Sequence, residues 1–507
     1  MVGPSVITMR EKNAFDYLLS EIPDGFTLSP AQTTTLNMVR AFQDSDFQFQ
    51  GIPLSFTTLV AIFSQIVTGR IGPKKPQLLR AFLDKLLARF HPFYWRCRFG
   101  KPCNIQHIPQ NGLLIDICTA MPKNWNLISG ALPMLEDLPL WIVLGGHSIP
   151  EHVRQTKIPV VSECLTMPGA VLSSWNEINI QWLQWRSKIS LILREQHFHP
   201  STEAFILRTM AQSVLIAAEI SALLDATKPK LIIVDHDHQV YASLLVSLAR
   251  IRSIPTITLQ HGTLGALIGY VPLWADYALL WGELYARVFR AFGTDESRIR
   301  LVGCPRLHRT IEQKETVWKR HLKKRGIPFS DILVFLTTEN GPDDIRRRLA
   351  KVVWEGMGSL SAHRLIIKCH PAETKHLYQN IFADEPRILI FSADEMSLEE
   401  GMSLADVVIA QYSGVATDAL VMWRPVILIN LDDKLSANQK MADMGATLVA
   451  RSASELQSIL EKRYDRNLNP SLSIAAERYV NECFVAFGND ASKLTAKAVR
   501  DIWDQFK

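Results

Sequence analysis

The sequence predicts an α/β protein with two doubly wound parallel sheets, preceded by a mostly helical region. Short continuous runs of Val, Ile and Leu recur from about residue 109 onward, as expected for strands that helices cover on both faces. Amphipathic stretches of helical length separate these runs, and such alternation is typical of doubly wound sheets. Polar clusters follow several of the runs, where such sheets bind ligands.

Length and composition indicate a globular protein with more than one domain. The chain has 507 residues, of which 47% are hydrophobic and 21% charged, which excludes a disordered or fibrous protein. A net charge of +5 is too small to indicate a nucleic-acid partner. The seven cysteines are scattered, without metal-ligand spacing, and the N-terminus lacks a secretory pattern. Thiols of this kind are typical of a reducing compartment, so we expect a cytoplasmic protein, and the apolar stretch 54–67 is too short to span a bilayer.

The apolar runs predict two sheets. Long helices are expected at about 202–226 and 240–253. The predicted domains are a mostly helical region at 1–108, a Rossmann-like domain at 109–298, a second at 299–480, and a C-terminal helix at 481–507 that crosses back to the first. The predicted strands of the first sheet lie in 112–117, 140–144, 158–161, 230–235, 255–259 and 277–280, and those of the second in 300–303, 332–336, 364–368, 387–391, 407–410 and 426–429.

Polar clusters follow five of the predicted strands. Carboxyl ends of parallel strands meet at one edge of a sheet, so these clusters mark the place to look for chemistry. Each cluster alone is also compatible with ordinary loop or cap residues. The clusters are Asp235-His236-Asp237-His238, Gln260-His261-Gly262-Thr263, Thr337-Thr338-Glu339-Asn340-Gly341, Lys368-Cys369-His370-Pro371-Ala372-Glu373 and Ser413-Gly414.

The Ser413-Gly414 turn leads from a predicted strand directly into a predicted helix. The backbone N–H groups at the start of such a helix, here those of Gly414, Val415 and Ala416, together with the helix dipole favour a bound phosphate. Asp418, about one turn into the helix, would then accept hydrogen bonds from ribose or sugar hydroxyls. The alternative is a turn that only caps its helix.

The histidines in these clusters suit proton transfer or phosphate contact. His261 precedes Gly262, whose missing side chain allows close approach of a ligand, and an imidazole has a pKa near neutrality. His370 lies beside Pro371 and Lys368, a combination that favours phosphate binding. Both are also compatible with structural histidines.

The string Asp235-His236-Asp237-His238 has the residue types of a metal site. Neighbouring side chains of an extended chain point to opposite sides, so only Asp235 with Asp237, or His236 with His238, would converge. A loop that orients a base is the favoured interpretation, and no metal ligands are assigned.

In these motifs the chain resembles glycosyltransferases of the GT-B type, most strongly over residues 228–435. Gln260-His261-Gly262-Thr263 is similar to a motif of bacterial capsule-polysaccharide and teichoic-acid transferases, and Gly303-Cys-Pro-Arg306 resembles the Gly-x-Pro-Arg that opens their second domain. His370-Pro371 is similar to the His-Pro element of sialyltransferase-like enzymes. The stretch from Ser413 to Asp418 is similar to their donor-site turn.

The resemblance implies two Rossmann-like domains that face a cleft, and a nucleotide-linked sugar as donor. The general base is left open among His261, Asp237 and Glu339, in that order. The implied donor is CMP-, CDP- or UDP-linked, and no cofactor or divalent metal is expected. On the donor side the implied residues are Arg306, Asn340, Lys368, His370, Pro371, Ser413, Gly414, Val415, Thr417 and Asp418, and on the acceptor side Asp235, His238, Gln260, Gly262 and Thr263.

The basic segment 70–101 gives an indication of where the acceptor is located. It has nine basic residues and one acidic residue, interleaved with aromatic and aliphatic side chains. Such a segment would lie on an anionic membrane surface, where a lipid-linked glycan is presented. The alternative is a helix with a solvated basic face that packs on the core.

The leading hypothesis is a transferase that moves a sugar to a surface glycan such as capsule or lipopolysaccharide. It would be a cytoplasmic enzyme with a peripheral contact to the inner face of the membrane. A UDP-sugar 2-epimerase and a polyol-phosphate transferase are the alternatives among enzymes. A non-catalytic subunit that binds nucleotide or glycan is the alternative of another class.

Overall fold

The computed structural model divides into two compact units. The first comprises Met1–His261, Ala266–Pro305 and Asn489–Lys507, and the second comprises Gly262–Gly265 and Arg306–Gly488. The basic segment 70–101 and most of the predicted helical region lie outside the described residues. The structure describes residues 32, 33, 35, 48–49, 52–53, 108–117, 122–144, 149–162, 184, 186–188, 191, 200–264, 267–338, 343–370, 373–382, 385–411, 414–431, 438–462 and 470–506.

The first unit contains a parallel sheet of seven strands, in the order β5-β4-β3-β6-β7-β8-β9. Its central strands are fully buried and rich in Leu, Ile and Val, as expected for a parallel sheet with helices on both faces. The strand order reverses between β3 and β6, which makes the edge beyond these two strands the switch point of the sheet. The strands are β3 (Leu113–Asp116), β4 (Leu140–Leu144), β5 (Val160–Ser162), β6 (Leu231–Val234), β7 (Thr256–Leu259), β8 (Tyr277–Leu280) and β9 (Ile299–Leu301); β1 (Gln48–Phe49) and β2 (Ile52–Pro53) form a small antiparallel pair.

One predicted strand was assigned to the wrong sheet. The run that begins at Arg300 was expected to open the second sheet, but β9 pairs in parallel with β8, with Leu279 opposite Arg300. The run therefore ends the first sheet. A short strand carries no signal that identifies its partner, because pairing is decided by contacts far along the chain.

The second unit contains a parallel sheet of six strands, in the order β12-β11-β10-β13-β14-β15. Its order reverses between β10 and β13, so the switch point lies beyond the carboxyl ends of these two strands. Five of its strands were predicted, and β15 is additional. The strands are β10 (Ile332–Thr337), β11 (His363–Lys368), β12 (Ile388–Phe391), β13 (Val407–Ala410), β14 (Val426–Ile429) and β15 (Leu448–Ala450).

Helices connect the strands in both units. The two long helices predicted before and after β6 are confirmed as α3 and α4. In the described part of the chain the helices are α1 (Pro122–Trp125), α2 (Glu151–Arg154), α3 (Pro200–Thr227), α4 (Val240–Ile251), α5 (Glu283–Ala291), α6 (Lys314–His321), α7 (Asp343–Met357), α8 (His376–Gln379), α9 (Leu398–Leu404), α10 (Val415–Val421), α11 (Gln439–Asp443), α12 (Ala453–Glu461), α13 (Pro470–Cys483) and α14 (Gly488–Gln505).

Close packing of helices on the second sheet depends on small residues. Helix α9 begins with a capping box, in which Ser397 and Glu400 satisfy each other's backbone N–H groups. Its Gly401 lies directly on the ring of Phe335 in β10, where a Cβ would overlap the ring. Phe335 and the flanking Val334 and Leu336 are fully buried, and each such side chain contributes roughly 1.5–3 kcal/mol to stability.

Candidate functional site

Two sequence motifs meet at the carboxyl edge of the second sheet. Gly414 follows β13 and begins α10, and Thr263 of the Gln-His-Gly-Thr motif lies against it within the second unit. A Cβ added to Gly414 would be 2.7 Å from Oγ1 of Thr263. The backbone of Gly414 has φ −60° and ψ −15°, which any residue adopts. A side chain here would therefore press on Thr263, so the contact with Thr263, and not the backbone conformation, favours glycine.

A second contact joins two further motif residues of the same unit. Arg306 donates from Nη1 and Nη2 to the two carboxylate oxygens of Asp418, at 3.1 and 3.3 Å. The side chain of Asp418 is 5% exposed and that of Arg306 is 19% exposed. This two-pronged pair holds the first turn of α10 against the chain that enters the second unit. The predicted role of Asp418 toward ribose stays a prediction.

Thr417 of α10 lies close to α13. It is buried, and its Oγ1 lies 3.5 Å from the hydroxyl of Tyr479 in α13. This side chain thus packs between α10 and α13. Its predicted contact with the donor stays a prediction.

The loop after β11 is organised by a residue to which the sequence analysis gave no role. One carboxylate oxygen of Glu373 accepts hydrogen bonds from the backbone N–H of His370 at 3.0 Å and the hydroxyl of Thr338 at 2.7 Å. The other forms an ion pair with Arg346 of α7 at 2.6 Å. The His370 N–H also donates to Oγ1 of Thr338 at 3.1 Å. Glu373 thus fixes the backbone of His370 beside the end of β10. The signal that could have identified it is its position three residues after His370.

Lys368 ends β11 and is partly buried. Burial lowers the pKa of its ammonium group from the usual value, and the neighbouring Cys369 and carboxylates oppose this shift. Burial also raises the pKa of the Cys369 thiol to about 11, so that this thiol is protonated at neutral pH. A desolvated ammonium at this strand end is suited to interact strongly with an anion.

Four predicted site residues lie outside the described residues. They are Glu339, Asn340, Pro371 and Ser413.

His261 in the first unit belongs to a stack of rings. The centroid of its ring lies 4.5 Å from that of the Tyr270 ring, at an interplanar angle of 6°, and 3.8 Å from that of the His236 ring. Nε2 of His236 is 2.9 Å from the carbonyl oxygen of Gly269, which fixes that ring in turn. The orientation of His261 is therefore set by its neighbours. Neither His236 nor Tyr270 was assigned a role from sequence.

The string 235–238 secures the segment that follows β7. Oδ2 of Asp237 accepts hydrogen bonds from the backbone N–H groups of Trp274 and Ala275, both at 2.9 Å. Nε2 of His238 is 2.9 Å from the carbonyl oxygen of Pro272, and burial lowers the pKa of this imidazole. Because a carbonyl only accepts, Nε2 carries the proton. Through these contacts Asp237 and His238 stabilise the segment after β7. Their predicted roles in chemistry stay predictions.

Two further predicted residues are bonded within the first unit. Gln260 is 3% exposed, and its Oε1 accepts a hydrogen bond from the backbone N–H of Trp281 at 2.9 Å. Asp235 accepts one from Nδ2 of Asn124 at 2.7 Å. Gly262 continues the chain from His261 toward Thr263.

A buried carboxyl group that the sequence analysis missed ends β3. Burial, and then the neighbouring Asp235, raise the pKa of Asp116 well above its usual value. Neither of its carboxyl oxygens has a hydrogen-bond partner in the described part of the chain. The signal in the sequence is an aspartate at the end of an apolar strand. Among the described residues, no group of three or more His, Cys, Asp or Glu side chains is placed to hold a metal ion.

Solved structures share the fold of this chain. A UDP-N-acetylglucosamine 2-epimerase matches with a TM-score of 0.51 at 10% identity, over 78% of this chain and 96% of its own. The MnaA structure with UDP from S. aureus has a TM-score of 0.52 at 12% identity, over 78% of this chain and 97% of its own. A putative epimerase of this kind from Listeria monocytogenes has a TM-score of 0.52 at 13% identity, with the same coverage.

These likenesses bear on the fold alone. They agree with the predicted class of two Rossmann-like α/β domains of the GT-B type, which is confirmed. No protein-family model and no curated protein matches the sequence. No helix among the described residues is both long enough and apolar enough to cross a bilayer.

Proposed function

We propose that the chain binds a nucleotide-activated sugar at the carboxyl edge of the second sheet and transfers the sugar to a glycan acceptor. The observation that carries the proposal is the contact of Thr263 with Gly414. These residues belong to the two motifs that resemble the acceptor and donor motifs of transferases, and they are 151 positions apart in the sequence.

The proposed chemistry is displacement at the anomeric carbon, with the nucleotide as leaving group. Negative charge develops on the leaving phosphate, where the backbone at Gly414, the ammonium of Lys368 and the imidazole of His370 stabilise it. A general base accepts the proton of the attacking hydroxyl, and His261 is the first candidate that the sequence resemblance gives. Because these groups supply the positive charge, we expect turnover without a divalent metal and no change of rate in EDTA.

The test begins with a thermal-shift series of UDP, CDP, CMP, GDP and dTDP. UDP is placed first because one structure of the same fold, MnaA of S. aureus, is a complex with UDP. A nucleotide at 100 times its dissociation constant should stabilise the folded chain by about 2.7 kcal/mol. If no nucleotide shifts the unfolding temperature, the proposal fails.

The second step distinguishes transfer from epimerisation. The protein is then incubated with a sugar nucleotide that contains the nucleotide found to raise the unfolding temperature. The reaction is followed by proton NMR, with and without a glycan acceptor. Release of nucleotide that depends on the acceptor supports transfer. Inversion at C2 of the sugar without acceptor identifies a 2-epimerase, and binding without any turnover identifies a nucleotide-binding subunit.

A further inference from the structure

A pocket lies at the opposite edge of the first sheet from His261. Its volume is ≈430 Å³, and its walls come from the amino ends of β7, β8 and β9, the end of α4 and the last residues of α14. Strand β7 spans Thr256–Leu259, so the pocket and Gln260 are separated by the length of this strand, about 13 Å. None of the predicted site residues lines it.

Three arginines and one aspartate line the pocket, which gives it a formal charge of +2. The arginines are Arg250, Arg298 and Arg300, and each is partly buried. The carboxylate of Asp276 accepts hydrogen bonds from the backbone N–H and the hydroxyl of Thr256, at 3.0 and 2.8 Å. An excess of guanidinium groups in a partly desolvated pocket favours an anion.

Backbone carbonyl oxygens hold these arginines in place. Arg298 donates to the carbonyl oxygens of Ala275 at 2.7 Å and Asp276 at 2.8 Å, and Arg250 donates to that of Trp274. Carbonyl groups fix the guanidinium planes without cancelling their charge. An anion that binds here therefore finds oriented donors and does not have to order long side chains.

Arg300 has hydrogen-bonding capacity to spare. Its Nη1 donates to the carbonyl oxygens of Ser297 at 2.7 Å and Ile299 at 2.8 Å. Within the described residues, its Nε and Nη2 make no hydrogen bond, so they are available to a phosphate or carboxylate. The guanidinium also lies 5.9 Å from the ring of Tyr277, whose hydroxyl donates to Gln505 of α14.

We propose that this pocket binds a small molecule that carries a phosphate or carboxylate group. The charge excess and the oriented arginines favour an anion, and the exposed hydroxyl group of Ser253 supplies a further hydrogen bond at the rim. The proposal does not depend on nucleotide-sugar binding at the second sheet.

The test compares two variants at Ser253 that differ only in charge. Ser253 is exposed and has φ +56°, a conformation that Asp and Asn tolerate. Full-length wild type, Ser253→Asp and Ser253→Asn are titrated by calorimetry with glycerol 3-phosphate, with glycerate and, as a neutral control, with glycerol. We expect saturable binding of at least one of the two anions, no binding of glycerol, and affinity about tenfold weaker in Ser253→Asp than in Ser253→Asn.

A second pair of variants tests the same binding without a change at Ser253. Arg300→Gln should weaken the same binding about tenfold, whereas Arg252→Gln, which removes the same charge from an arginine paired with Asp225, should leave it unchanged. Unfolding temperatures measured without ligand show that the variants are folded. If neither anion binds saturably, or if Ser253→Asp and Arg300→Gln bind it as the wild type does, the proposal is overturned.

Discussion

Two polar clusters that look alike in the sequence have different roles in the structure. The string 235–238 follows β6 in the first unit, and its Asp237 and His238 bond the backbone of the segment after β7. The turn at Gly414 follows β13 in the second unit. There the contacts come from motif residues remote in the sequence, Thr263 and Arg306. A polar cluster at a strand end thus indicates either a structural clamp or a meeting of motifs, and the partners decide which.

The largest effect is expected at the pair that anchors α10. Arg306→Ala leaves the carboxylate of Asp418 buried without its charged partner, so the free energy of unfolding should fall by about 3–5 kcal/mol in urea denaturation. Lys319→Ala, which breaks an exposed pair with Glu315, is the control and should change it by less than about 1 kcal/mol. Similar losses in the two variants would remove the distinction between the turn at Gly414 and ordinary surface pairs.

A buried carboxyl group outside both clusters gives the next effect. Burial raises the pKa of Glu219 in α3 to about 9. Because the folded state keeps this proton while the unfolded state loses it near pH 4.5, stability falls as pH rises from about 4.5 to 9. Glu219→Gln removes this loss. The variant should match the wild type at pH 4 and exceed it by about 2–4 kcal/mol at pH 8, measured by urea unfolding at each pH.

An equal difference between the two proteins at pH 4 and pH 8 would contradict this assignment. It would also show that burial at α3 costs less than the structure implies. The comparison of the two clusters also depends on the free-energy cost of burying a carboxylate. Asp237 and Asp418 are both buried, but Asp237 accepts from backbone N–H groups whereas Asp418 pairs with Arg306.

The clamp in the first unit predicts a smaller effect. Asp237→Asn replaces a charged acceptor of two backbone N–H groups by a neutral one, which should cost about 1–3 kcal/mol in stability. Asp225→Asn, at a carboxylate that is 64% exposed, is the matched control and should cost less than about 1 kcal/mol. Full stability of Asp237→Asn, with loss of turnover, would instead support Asp237 as the base.

The sequence predicted the sheets well because a buried parallel strand is nearly continuous in Val, Ile and Leu. It failed for the run at Arg300, whose three-residue strand pairs with β8 for reasons that lie in the packing of the first sheet. The positions of Thr263 and Gly414 were recognised as motifs, whereas their contact depends on two distant segments and has no local signal.

The supporting side chains were harder to predict. The stacking of His236 and Tyr270 on His261 arises from the fold of the segment after β7, which no spacing reveals. Glu373 lies close to His370 in the sequence, but its ion pair with Arg346 connects this loop to helix α7. Residues that hold a site are less visible in a sequence than residues that resemble a motif.

The most direct test of the central claim measures nucleotide affinity when the contact between Thr263 and Gly414 is broken and then repaired. Gly414→Ala places a Cβ against the Thr263 hydroxyl, whereas Thr263→Ala removes that hydroxyl. Calorimetry with the nucleotide that stabilises the wild type should show Gly414→Ala weakened about tenfold or more, because a displaced turn no longer meets the phosphate. The double variant should regain the affinity of Thr263→Ala alone. If Gly414→Ala binds the nucleotide as tightly as the wild type, this contact is not part of a donor site.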